Sequence, residues 1–271
     1  MKRLLAASVF AFLPLDAAGQ DAQYCMAEWE VIADLAGAIG DGATAGEDGW
    51  CEIATTKTAI FGATLGEAAF RFDQNEEALP NSRSVEVQIA DLQTRFGTYE
   101  GIFALSHQTQ AGAVQLHQLR LRGDDERGLR GTAAASLPAF QNEAEAQYAL
   151  TDLTVSRVNV DVFVTPALLD ALQIDFSQVT RRAVDSALRD VSEAQVSGKS
   201  RREFLRFVGA VPNARGTLSV AVEISGDISL FERIAPFVAL ARAPSDDDIT
   251  GAFDAAFDGV SIDLIWKPGR M

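Results

Sequence analysis

Leu153-Thr154-Val155-Ser156-Arg157-Val158-Asn159-Val160-Asp161-Val162-Phe163-Val164-Thr165 is the stretch on which the fold turns. Val158, Val160, Val162 and Val164 alternate with Asn159, Asp161, Phe163 and Thr165. Period-two alternation of β-branched residues reads as a strand with one dry face. Upstream of it the chain reads as successive strands. Downstream it reads as mostly helix, closed by two last strands.

The upstream candidates are 50–61, 67–73, 84–91, 100–110, 113–122, 129–138, 145–152 and 153–165. Pro80-Asn81-Ser82, Ala111-Gly112 and Gly123 to Gly128 separate several of them with turn chemistry. Short connections between neighbours predict antiparallel pairing. In the hairpin 100–122, a three-residue loop at Ala111 to Ala113 pairs Phe103 with Leu121, Leu105 with Leu119 and His107 with His117. That register keeps both leucine sets on one face. Earlier still, Cys25, Trp29, Ile32, Ala36 and Ile39 predict a helix over 25–39. Glu28, Glu30 and Asp34 lie off its apolar stripe. Gly40 to Gly49 then reads as a glycine-rich connector.

Downstream, Thr165-Pro166 predicts a capped helix start. A longer helix is expected from Ser177 to Val196, ended by Ser197-Gly198. Its Arg181, Asp185, Arg189 and Glu193 form a charged outer stripe. Ser200 to Glu203 has the spacing of a capping box for a further helix containing Phe204, Leu205, Phe207 and Val208. Leu218, Val220, Val222 and Ile224 predict a strand. Helical patterns follow at 231–242, interrupted by Pro236, and after Ser245, where Asp246-Asp247-Asp248 suits a helix N-terminus. Gly259 ends that helix, and Val260, Ile262, Leu264 and Trp266 form the closing strand. The expected fold is α+β: a large, mainly antiparallel twisted sheet with amphipathic helices, chiefly after residue 165, covering one face.

Met1-Lys2-Arg3, an apolar run from Leu4 to Leu15, and small residues at Ala17 and Gly19 form a signal-peptide pattern over 1–19. The remaining 20–271 is read as one α+β domain. It comprises a disulfide-tied helix and glycine-rich loop at 20–49, a β-rich part at 50–165 and a helix-rich part at 166–271. No later apolar run reaches membrane-spanning length. The formal charge is −15, and removing Lys2, Arg3 and Asp16 with the leader takes it to −16. Such acidity repels nucleic-acid backbones and excludes that class of partner. Cys25 and Cys51 are the two cysteines. In an exported chain the pair reads as a disulfide worth about 3 kcal/mol by loop entropy.

Catalytic signatures GxSxG, SxxK and HExxH are absent from the sequence. His107 and His117, the two histidines, are metal ligands only if a third group joins them. They are read instead as a polar rim, with no metal or other cofactor expected. Phe204, Phe207, Phe237, Phe253 and Phe257 lie in the helical part and are read as the apolar lining of a ligand site. Lys199, Arg201, Arg202 and Arg206 form a cationic knot suited to a lipid headgroup or an acidic partner. The expected function is that of an exported, non-catalytic envelope protein, periplasmic or secreted, binding a lipid or other apolar ligand between sheet and helices. The alternatives are a structural or assembly protein engaging an envelope partner, and a hydrolase with a carboxylate site.

Overall fold

A computed structural model of the chain describes residues 22–36, 42–46, 49–53, 56–57, 63–73, 82–94, 96–108, 111–123, 127–138, 152–172, 180–189, 191–230, 232–233 and 257–269. These form mostly sheet, large and antiparallel, with ten strands on one path and an eleventh pairing off it. A few helices accompany it, and the sheet does not close into a barrel among the described residues. Two compact units divide the chain: 1–132 with 137–150, and 133–136 with 151–271.

The first unit opens with helix α1 (Ala22–Ala36) and strands β1 (Ala43–Ala45), β2 (Cys51–Ile53), β3 (Thr56–Lys57) and β4 (Thr64–Asp73). β5 (Ser82–Thr94), β6 (Gly97–Gln108) and β7 (Ala113–Gly123) follow, and β8 (Gly128–Ser136) begins in the first unit and ends in the second. Paired residues of adjacent strands share a face, so the dry face can be followed across the sheet. One row runs Cys51, Phe70, Val87, Phe103, Leu119. The next runs Phe72, Val85, Leu105, Leu116. Phe70 and Phe72 meet edge to face at 5.7 Å. Cys25 and Trp29 of α1 join this core, and the disulfide Cys25–Cys51 ties the helix to β2, as the cysteine reading expects. Arg71 lies 4.5 Å from the Trp50 ring centroid while its Nη2 pairs with Glu86 at 2.6 Å.

Three expectations need correction here. Glu28 is buried at 2 % exposure, although its position lies off the apolar stripe. The glycine-rich connector contains β1, whose three residues pair with β2 in register Ala43–Ile53. Most consequential is the hairpin. Phe103 pairs with Leu119, and Gly101 with Leu121. A register shift between Ala104 and Leu105 then pairs Leu105 with Leu116 and His107 with Val114. His117 is the extra residue of this bulge. Both apolar sets stay on one face, but the two histidines are not partners. The strand expected at 145–152 lies outside the described residues, except for residue 152.

The second unit contains β9 (Thr154–Val164), α2 (Pro166–Ala171), α3 (Arg181–Arg189), α4 (Gly198–Ala210), β10 (Gly216–Ile224) and β11 (Val260–Pro268). The valine strand is β9, as its alternation predicts. Thr165 caps α2 as expected: Oγ1 accepts from Leu168 N at 3.2 Å, with Pro166 following the cap. The helix expected through Val196 stops earlier. Ser192 and Gln195 bond each other through side chain and backbone, a local pairing that competes with helix continuation. Ser197, not Ser200, caps α4, its Oγ accepting from Ser200 N at 3.2 Å. A capping box does occur at Ser229 and Glu232, where each side chain bonds the other's backbone N–H.

Candidate functional site

β9, β10 and β11 build a face whose composition follows from the alternation of all three. Val158 pairs with Val222 and Val222 with Ile262; Val160 pairs with Val220 and Val220 with Leu264. Val162, Leu218 and Trp266 complete a third row. Every side chain in these rows is apolar, so an uninterrupted hydrocarbon surface crosses the three strands. One end of it is sealed. There Val164, Leu169, Ala214 and Trp266 are buried, with Phe207, Ala210 and Val211 packed against them. The middle is only half-buried: Val158, Val160, Val220, Val222, Ile262 and Leu264 all retain partial exposure. The opposite face carries Asn159, Asp161, Ser219, Glu223, Asp263 and Lys267, and the exposed pair Arg157–Glu223 at 3.0 Å.

Helix α4 lies along β11. Alternate amides of that strand point away from β10, and three consecutive ones find acceptors. Ile262 N donates to Gln195 O at 2.6 Å, Leu264 N to Ser200 Oγ at 3.1 Å, and Trp266 N to Glu203 Oε2 at 3.3 Å. Ser200, 1 % exposed, also donates to Asp263 Oδ1 at 2.9 Å. Ser200 and Glu203 are three residues apart on one helical face, so one helix orientation serves both amides. Sequence reading placed this pair in a cap; their spacing was the visible signal, and their partners were not.

The residues read as an apolar lining are only partly brought together. Phe204 and Phe207 stack at 6.3 Å, and Phe207 lies 5.0 Å from Trp266. Phe257 is half-buried, and its carbonyl accepts from Gln195 Nε2 at 3.1 Å. Phe237 and Phe253 lie outside the described residues, as do Pro236 and Asp246-Asp247-Asp248.

Of the cationic knot, Arg201 is turned inward: Nε donates to Val196 O at 3.1 Å and Nη2 to Val191 O. Arg206 pairs with Glu203 at 2.8 Å. Lys199 and Arg202 are exposed. His107 is buried at 1 % exposure in the first unit, and desolvation pushes its imidazole down from 6.5 to about 4. His117 is exposed, and its Nε2 lies 2.5 Å from Ser106 Oγ. Ser106 and His107 are consecutive in a strand, so this contact puts the two imidazoles on opposite faces. Among the described residues, no group of three His, Cys, Asp or Glu side chains is placed to hold a metal. No described helix is long and apolar enough to cross a membrane. No protein-family model matches the sequence, and a search of curated proteins returns no match.

Proposed function

We propose that this is an exported, non-catalytic protein of the cell envelope, periplasmic or secreted, that holds a lipid or other apolar ligand against the β9–β10–β11 face. The observation that carries the reading is the half-buried middle of that face. Six aliphatic side chains there remain partly exposed, beside a sealed end built from Trp266 and Phe207. Apolar surface of this extent is costly in water, at about 25 cal/mol per Å², and favours an apolar cover. In the proposed arrangement the amphipathic helices after residue 165 cover the same face, and the ligand lies between them and the sheet. Export has separate support. Residues 1–19 carry a leader pattern, and the Cys25–Cys51 disulfide suits an oxidising compartment.

Two measurements test the two halves. Fractionation of cells making the full chain should place it outside the cytoplasm with its leader removed; retention in the cytoplasm at full length overturns export. Organic extraction of the purified protein followed by mass spectrometry should release a lipid or similar apolar molecule in near-stoichiometric amount. An extract with no such molecule, together with failure to take up a fluorescent fatty acid, overturns ligand binding.

A further inference from the structure

The outward faces of α3 and α4 differ in charge from the rest of the chain. From Arg181 to Arg206 there are seven cations and four carboxylates, a net charge of +3 within a chain of −15. On α4 the exposed residues Lys199, Arg202, Arg206 and Gly209 recur at three- and four-residue steps. They form a single solvent-facing stripe, and each of its charges is positive. On α3 Arg182, Ser186 and Arg189 repeat the pattern, with Arg181 also exposed. The two helices pack against each other. Arg189 is matched by Asp185 at 2.9 Å and Arg206 by Glu203 at 2.8 Å. Arg181, Arg182, Lys199 and Arg202 form no ion pair with another described residue.

Their positions along the helices add to this. Arg181 and Arg182 are the first two residues of α3, and Lys199 and Arg202 stand within the first five of α4. Cations there oppose the positive end of the helix dipole. An anion at the same place would be attracted by cation and dipole together. Val184, Leu188 and Phe204 on the same helices are half-buried, and the aliphatic stems of Lys and Arg can lie along apolar surface while their charged heads stay in water.

We propose that the α3–α4 surface docks on an anionic phospholipid bilayer, with Arg181, Arg182, Lys199 and Arg202 engaging headgroup phosphates. This rests on the envelope reading, which sets the chain beside a bilayer. Three of the four groups are guanidinium forks, which match phosphate oxygens two at a time. A chain of −15 is repelled by an anionic surface in most orientations, so attraction confined to α3–α4 also orients the second unit.

The test is co-sedimentation of the purified full chain with vesicles of phosphatidylcholine alone, or of equal parts phosphatidylcholine and phosphatidylglycerol. Binding is expected only to the mixed vesicles, and it weakens as salt rises. Lys199→Glu with Arg202→Glu should lower that binding by about tenfold or more. Arg120→Glu with Arg122→Glu, exposed positions in the first unit, makes the same change in net charge and should leave binding within about twofold. Acidic groups near a helix start complement the dipole, so the reversal variant should unfold at no lower temperature than the parent. If it does unfold lower, Lys199→Gln with Arg202→Gln replaces it, with a smaller loss expected. Equal binding to both vesicle types, an unchanged reversal variant, or an equal loss in the control pair each overturns the proposal. So does retention on immobilised polyglutamate without vesicle binding, which would point to an acidic protein. Fractionation decides export independently, so failure here leaves that result standing.

Discussion

Burial of His107 should make the first unit acid-sensitive. The imidazole is 1 % exposed, beside Leu105 and paired across the hairpin with Val114, and burial lowers its pKa from 6.5 to about 4. Over that interval the unfolded chain takes up a proton that the folded chain refuses. A base whose folded pKa is depressed contributes its full stability above pH 6.5 and loses it as pH falls toward 4. Each pH unit of mismatch is worth about 1.4 kcal/mol, so the loss amounts to about 3 kcal/mol. The perturbation is His107→Gln, which keeps a polar side chain of similar bulk and removes the titration. Urea unfolding is followed at pH 7, 6, 5 and 4, as pH values chosen to bracket the shift. Carboxylates titrate in both proteins, so the difference between the two slopes isolates the imidazole. The parent should lose about 3 kcal/mol more than the variant between neutral pH and pH 4. Parallel slopes would refute the reasoning, because they would mean that His107 protonates as easily folded as unfolded.

Three other perturbations have expected outcomes. Cys25→Ser with Cys51→Ser, or reduction by dithiothreitol, should cost about 3 kcal/mol in urea unfolding, from the entropy of the loop the bond closes. Ser200→Ala should cost about 1–3 kcal/mol, because it strips an acceptor from Leu264 N and a donor from Asp263; calorimetry measures the loss. Leu169→Ala, at the sealed end of the valine face, should cost about 2–5 kcal/mol by the same method, and more if the cavity stays open.

The strands were legible where alternation was long. β9, β10 and β11 are each nine residues or more long, and the alternation within them, over Val158–Val164, Leu218–Ile224 and Val260–Trp266, gives their shared dry face from the residue types alone. The β6–β7 register was legible too, but in a feature that the pairing rule passed over. Val114 and Leu116 alternate in one phase, Leu119 and Leu121 in the other. That change of phase is the bulge, and it removes His117 from its expected partner. β1 was invisible because three residues between glycines carry no period. The start of α4 was misplaced by three residues, since Ser197 and Ser200 are equally good caps locally. What distinguishes them is tertiary: Ser200 is held by Asp263 and Leu264, more than sixty residues away along the chain. The inward turn of Arg201 is more local: its acceptors, Val196 O and Val191 O, lie five and ten residues back, in the segment where the expected helix stops. The export pattern at residues 1–19 and the ligand reading remain proposals carried by residue pattern and by the half-buried face.

The hydrogen bonding along β11 also bears on self-association. Ile262, Leu264 and Trp266 would otherwise offer three regularly spaced donors to any extended peptide, including one from another copy. With Gln195, Ser200 and Glu203 already occupying them, that margin gives a foreign strand no template. Their amide protons should accordingly exchange with deuterium as slowly as interior ones, and fibril growth by strand addition would have to start from some other border.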